Sequence, residues 1–509
     1  QARAKSKSSP DESDPGRAKL LRCQARCKIE SGLAFDALEV IETVEALEAS
    51  SPSPSTLLVK LKALMHTNGH DSTLIHTLLN QLASFRDTDI LIIAAQEAEA
   101  VSNHDIAARA FFQLLGHVTD RKEDSRKLEN FEMLLFRLGL FHTMAANEST
   151  KHDGGEESHA VTVGKIFQKL LDFLKRNKSV PVTKEDGEYF SGVAWNVGLL
   201  AAKQNEFTPA AVCFSACARL ISSFECPDDL KKDANDAFSY QVRKCMAMLL
   251  TGASLIEICK TQTRPGNATA DATELNTQNL RVQAGGALAK HAQLVDALVS
   301  EANLNEDEKG LLLGLASRGL VLKHLLSAIS GSGSEEQLKL MQSDGLTPSN
   351  IITMSDNSAK YGNPEAAARG YDHGLTKMLA VGQKADAGVI ASVIRHRIEI
   401  EEKRTVVTTG AGTGAHERIL ELFDNAATHV SLLAGEYPAD EAAWLVCTSY
   451  NRGVAHHRMR RYHEAMSMFQ ASSRLLPQAC RADPTLSRMK GRVEEAVKTC
   501  ANTGYIAVA

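Results

Sequence analysis

Two distant stretches of this chain align with each other without a gap. "WNVGLLAAKQNEFTPAAVCFSACARLI", from Trp195 to Ile221, lies over "YNRGVAHHRMRRYHEAMSMFQASSRLL", from Tyr450 to Leu476. Both carry an aromatic, an asparagine, a glycine two residues later, a second aromatic, then an alanine and a phenylalanine. The last four matches are Gly198/Gly453, Phe207/Tyr462, Ala210/Ala465 and Phe214/Phe469. A unit of this length holds one helix pair, which buries its apolar side only by stacking on further pairs.

The glycine, alanine and phenylalanine fall where the tetratricopeptide repeat places its small residue of helix A and its alanine and aromatic of helix B. Gly198 and Gly453 are expected to let helix B cross helix A closely, with Ala210 and Ala465 at the same crossing. Phe214 and Phe469 are expected to fill the space toward the next repeat, and Pro477 to stop its helix B. Weaker copies follow the template. Leu21 and Ala25 precede Ala37 and Ile41; Leu91, Ala94 and Ala95 precede Ala107 and Phe111; Ile351 and Ser355 precede Ala367 and Tyr371. Aromatics make up only 5% of the chain, prolines number 13, and alanine and leucine run through nearly every segment, as in a mostly helical protein. The predicted fold is all-α, a tetratricopeptide-like helical-repeat solenoid of antiparallel helix pairs.

A chain of 509 residues exceeds one ordinary domain. Residues 1–18 read as a disordered lead-in, 19–260 as N-terminal helical repeats, 261–280 as a loop or linker, and 281–509 as C-terminal helical repeats. "SGSGSEEQ" at 330–337 and "TTGAGTGAH" at 408–416 read as breaks in the second half. No run is expected to cross a membrane, because Arg318 and Lys323 interrupt "GLLLGLASRGLVLKHLL". No signal peptide is evident. The chain opens on Gln1 rather than Met, in keeping with a start that lies upstream.

Net charge is −5, so no overall positive field draws the chain to nucleic acid. The ten cysteines follow no disulfide or zinc spacing; Cys23/Cys27 and Cys213/Cys217 read as buried apolar side chains in a reducing compartment. Gly410, Gly412 and Ala415 satisfy a G-x-G-x-x-G/A pattern, but their flanks read as helices rather than a βαβ unit. No Walker A sequence, G-x-S-x-G elbow or H-E-x-x-H helix is present, and no catalytic residue, metal or cofactor is expected. The basic stretch "HHRMRRYH" from His456 to His463 falls at the end of helix A and the turn after it. His457 and Arg458 are placed on the side facing a peptide groove, Arg460 and Arg461 at the turn. The stretch suits either an acidic or phosphorylated peptide or a solvated turn.

"EYPADEAAWLVCTSYNRGVAHHRMRRYHEAMSMFQASSRLLP" resembles a stretch of the meiotic Zip-four/Spo-twenty-two family of TPR scaffold proteins, which includes the mammalian testis-expressed TPR protein. The matching features are Tyr437-Pro438, Trp444-Leu445-Val446 and the aromatic-Asn-x-Gly of Tyr450 to Gly453. "AWNVGLLAAKQNEFTPAAVCFSACARLI" and "RKCMAMLLTGASLIEI" are similar to it as well. Arg452 departs from the small or apolar residue expected there, and family members are usually longer. The resemblance implies a nuclear, chromosome-associated, non-catalytic scaffold that binds crossover-promoting and synaptonemal-complex proteins through peptides docked on the solenoid. Neither direct nucleic-acid binding nor a membrane is implied. Candidate partner-binding residues are Asn196, Trp444, Asn451, His457 and Arg458. For Trp444 and Asn451 the alternative is structural: packing against the preceding helix, and a bond to a neighbouring repeat. The alternative function is a cytosolic TPR adaptor for chaperone tails or transport cargo. A chaperone-tail clamp needs several Lys, Arg and Asn residues converging on one groove, and only Asn196/Lys203 and Asn451/Arg458, in separate halves, hint at one.

Overall fold

The computed structural model describes residues 15–48, 52–67, 72–120, 129–149, 159–177, 182–224, 234–262, 270–300, 304–380, 386–407, 414–433 and 436–506. The chain divides into two compact units, Gln1–Gln262 and Thr263–Ala509. Among the described residues every regular element is helical. The first unit runs α1 (Pro15–Glu30), α2 (Ala34–Leu47), α3 (Pro54–Met65), α4 (Ser72–Ser84), α5 (Thr88–Ala100), α6 (His104–Asp120), α7 (Glu129–Ser149), α8 (His159–Arg176), α9 (Lys184–Lys203), α10 (Phe207–Phe224) and α11 (Ala234–Gln262). The second runs α12 (Ala270–Val299), α13 (Glu306–Ile329), α14 (Ser334–Met341), α15 (Pro348–Lys360), α16 (Pro364–Ala380), α17 (Ala387–Val407), α18 (Gly414–Leu432), α19 (Ala439–Arg458), α20 (Tyr462–Ala482), a 3-10 turn (Pro484–Leu486) and α21 (Ser487–Ile506).

Consecutive helices pair, and alternate helices also touch: α1 on α3 and α3 on α5 in one layer, α4 on α6, α6 on α8 and α8 on α10 in the other. In the second unit α13 meets α15, α17 meets α19, and α18 meets α20. This two-layer stacking of antiparallel pairs is a helical-repeat solenoid.

Five pairs close in one register. In each, a small buried residue of helix A is followed seven residues later by a residue in the left-handed region: Ala25 and Gly32, Ala95 and Ser102, Gly198 and Asn205, Ser355 and Gly362, Gly453 and Arg460. The left-handed residue donates its N–H to the carbonyl three residues back, and the next residue donates to the carbonyl five back. Examples are Asn205 to Ala202 (3.1 Å), Glu206 to Ala201 (2.9 Å), Arg460 to His457 (3.0 Å) and Arg461 to His456 (3.0 Å). Such a bond pair satisfies carbonyls that a helix end leaves free. Ala37, Ala107, Ala210, Ala367 and Ala465 follow in helix B, then Ile41, Phe111, Phe214, Tyr371 and Phe469 one turn on, all buried.

At two crossings the aromatic lies on its own repeat's glycine rather than only toward the next pair. A Cβ on Gly198 would come within 2.9 Å of Phe214 Cε1, and one on Gly453 within 2.5 Å of Phe469 Cε1. Trp195 and Tyr450 lean on the same rings, with centroids 5.7 and 5.6 Å away.

Several expectations need correction. Residues 1–14 lie outside the described residues, but helix already begins at Pro15, where a missing N–H costs nothing in the first turn. Within 261–280, α11 reaches Gln262 and α12 starts at Ala270, because Thr277, Ala284 and Leu288 share one buried face; residues 263–269 lie outside the description. Ser334 and Ala415, read as parts of breaks, are helical, while Gly410 and Gly412 are outside the description. Pro477 does not stop α20: buried Leu475, Leu476 and Ala479 hold the helix on both sides of it. Cys23 and Cys27 are exposed rather than buried. Cys213 and Cys217 are buried, and burial pushes both thiols up to about 12. α13 is long and apolar enough to cross a membrane, contrary to expectation. Its buried side nevertheless carries Ser317, bound to Asn350, and His324, whose Nε2 donates to Ser358 Oγ (3.1 Å) as that hydroxyl donates to Gln337 Oε1 (2.7 Å). One side of it packs on its neighbours, and Leu311 and Leu313 are exposed on the other.

Candidate functional site

The candidate residues of the second unit lie on α19 and the turn after it. Pro438 opens α19 without a side-chain cap; Asp440 and Glu441 stand in its first turn and His456, His457 and Arg458 in its last. That distribution matches the helix dipole, acid at the positive end and base at the negative end. Arg460 takes the left-handed position at φ 60°, and Arg461 precedes α20, again with no side-chain cap.

Trp444, Asn451 and Arg458 recur every seventh residue, so the three form one stripe along α19. Asn451 and Arg458 are exposed. Among the described residues Asn451 makes no side-chain bond to a neighbouring repeat, contrary to the structural alternative. Trp444 is half-buried on the core of its unit, with the Arg395 guanidinium of α17 at 4.9 Å from its ring centre. Arg395 is held in turn by Glu399 (3.1 Å) and Glu441 (3.3 Å). Trp444 thus covers α17, two helices back. His457 lies off the stripe, half-buried, its ring edge-on to Tyr462 at 5.4 Å. Asn196 is exposed on α9 at the position equivalent to Asn451, and belongs to the first unit.

Three features escaped the sequence reading. Glu401 is fully buried and accepts hydrogen bonds from Arg397 (3.0 Å), Arg404 (3.2 Å) and Arg418 (3.1 Å). The Arg397 and Arg404 spacings, four and three residues along α17, were visible in "RIEIEEKR"; the link to α18 was not. Arg452 pairs with Glu402 at 2.5 Å, which accounts for a charge where a small residue was expected. His456 is buried edge-on to His416 of α18, with ring centres 4.7 Å apart. Burial, then the His416 and Arg452 charges, bring His456 down to about 4; burial lowers His416 also. Both rings are neutral near pH 7. His456 Nδ1 and both His416 nitrogens are buried without a hydrogen-bond partner among the described residues.

Among the described residues no three metal-ligating side chains come together. The arrangement offers paired charges that tie neighbouring helices, and a band of exposed polar and basic side chains along α19.

No family model matches the chain, and no curated protein matches it. Among solved structures it is similar to a circular tandem repeat protein with novel repeat topology and enhanced subunit contact surfaces (TM-score 0.26, 11% identity, 97% of this chain and 91% of that one). It is also similar to yeast Tom70 (TM-score 0.20, 11% identity, 96% and 97%). A third is a Naa15/Naa10 structure bound to HypK-THB (TM-score 0.17, 12% identity, 95% and 80%). At such TM-scores none of the three adds to the fold read from the helices themselves.

Proposed function

We propose that this chain is a non-catalytic scaffold that binds partner proteins along its stacked helix pairs, and that it works on meiotic chromosomes. The supporting observation for binding is the shared register of the five pairs. Within each pair helix A meets helix B at the same positions, and Asn196 and Asn451, at equivalent places on their helices, are both in solvent. Solenoids recognise extended or helical peptides through many modest contacts along such helices. The meiotic part is supported by the resemblance carried by Tyr437-Pro438, Trp444-Leu445-Val446 and Tyr450 to Gly453. By that resemblance the partners are crossover-promoting and synaptonemal-complex proteins, and the location is the nucleus.

The test is to tag the full-length protein in meiotic cells, localise it, and identify the proteins that co-purify. Foci on chromosome axes with crossover and synapsis factors are expected. A uniform cytoplasmic signal with chaperones or transport cargo would establish the adaptor reading instead. That reading draws on Asn196 and Lys203, both exposed and seven residues apart on α9.

A further inference from the structure

The turn between α19 and α20 departs from its four counterparts. Gly32, Ser102, Asn205 and Gly362 put a glycine or a short polar residue in the left-handed position, where a side chain with a crowded Cβ is strained. Arg460 occupies it here. Asn103 and Asn363 cap the following helices through their side chains. At that place Arg461 supplies no side-chain cap to α20, as Leu33 supplies none to α2, but Arg461 in addition brings positive charge to the positive end of its helix. Glu464 in the first turn of α20 is the carboxylate that offsets it. Arg86, between α4 and α5, also takes the left-handed conformation (φ 55°), so the turn after α19 is set apart by the cluster of Arg458, Arg460 and Arg461 rather than by the backbone alone.

The neighbouring cations are engaged: Arg452 with Glu402, Arg474 with Asp424, and Arg397, Arg404 and Arg418 on Glu401. Arg458, Arg460 and Arg461 are exposed and have no carboxylate partner among the described residues. Met459 stands between them, 57% exposed. We propose that this turn docks an acidic segment of a partner protein, with carboxylates on the three guanidiniums and an apolar side chain on Met459. The assignment rests on the scaffold reading above and names the chemistry of one partner. The exposed Met459 inside the patch favours an acidic peptide carrying an apolar side chain over a nucleic-acid backbone, while Glu464 and the net charge of −5 act on both polyanions alike.

The experiment compares the unaltered full chain with a variant carrying Arg458→Gln, Arg460→Gly and Arg461→Asn. The last two substitutions restore the residue types of the other turns, so the melting temperature should stay equal or rise. The probes are a fluorescein-labelled oligoglutamate peptide interrupted by leucines, and single-stranded oligothymidine. The peptide should bind the unaltered chain, bind less as salt is raised, and bind the variant about tenfold or more weakly. Failure of the unaltered chain to bind, or equal binding by the variant, overturns the proposal. Oligothymidine binding as tight as the peptide would assign the turn to nucleic acid instead. If the variant binds peptide normally while the unaltered protein still forms axis foci, this surface falls and the scaffold stands. If foci are absent but the variant loses the peptide, the meiotic reading falls and the turn remains an acidic-segment site.

Discussion

At Gly453 a hydrogen stands where any side chain would meet the Phe469 ring. Gly453→Ala should therefore destabilise the second unit by roughly 1–3 kcal/mol through overpacking, despite alanine's better helix propensity. Gly314, exposed on α13 with open space around it, is the control: Gly314→Ala should stabilise by roughly 0.5–1 kcal/mol. Urea denaturation of the two variants reads both signs. His456 makes a second prediction. Its folded-state value of about 4 lies below the ordinary 6.5, so the unfolded chain takes up a proton first as pH falls. The stability that His456 contributes is fully present above about pH 6.5 and is lost as pH falls toward 4. His324, also brought down to about 4 by burial, acts with the same sign. His456→Phe should flatten part of this slope between pH 4 and 6.5 in denaturation midpoints, and a slope identical to that of the unaltered chain would refute the assignment. Gly453 was legible in the sequence because its spacing to Ala465 and Phe469 repeats. The His456–His416 contact was not, because it joins helices whose mutual rotation no local pattern states.

Among the elements, α17 is tied to its neighbours by charge. Glu401 is buried under three arginines, of which Arg397 also bonds Asp372 of α16 at 2.9 Å. Glu401→Gln should cost about 2–4 kcal/mol. That is less than a fully enclosed pair, since Arg404 and Arg418 reach solvent and are screened. Measured in the same way, a loss near zero would mean that the arginines find other partners. Helix ends were readable where polar breaks coincide with a left-handed residue, as at Gly32 and Gly362. They were misread at Pro477, where buried Leu475, Leu476 and Ala479 outweigh the local signal, and at Ala270, whose helix carries a buried face from Thr277 onward. The candidate stripe of Trp444, Asn451 and Arg458 was present in the seven-residue spacing. What covers Trp444 was not, because Arg395 comes from a different repeat.

Over the whole molecule, each unit owns a core. One extends from Leu57 to Ala247 and another from Ile390 to Leu486. Residues 1–262 and 263–509 expressed apart should each give a helical circular dichroism spectrum and a cooperative thermal transition. A fragment without a transition would show that its core depends on the rest of the chain. The closed turns carry one more consequence, which concerns how such a chain can diverge. From small residue to left-handed residue is seven positions, from there to the helix-B alanine five, and on to the aromatic four, in all five pairs. A deletion of one codon inside that span would swing the following side chains by about 100° around the helix axis and pull Phe469 off Gly453. Between pairs, the same deletion only shortens a connection. Descendants of this sequence are therefore expected to vary in length between helix pairs and to keep the sixteen-residue interval within them unchanged, so that insertions map the joints of the array.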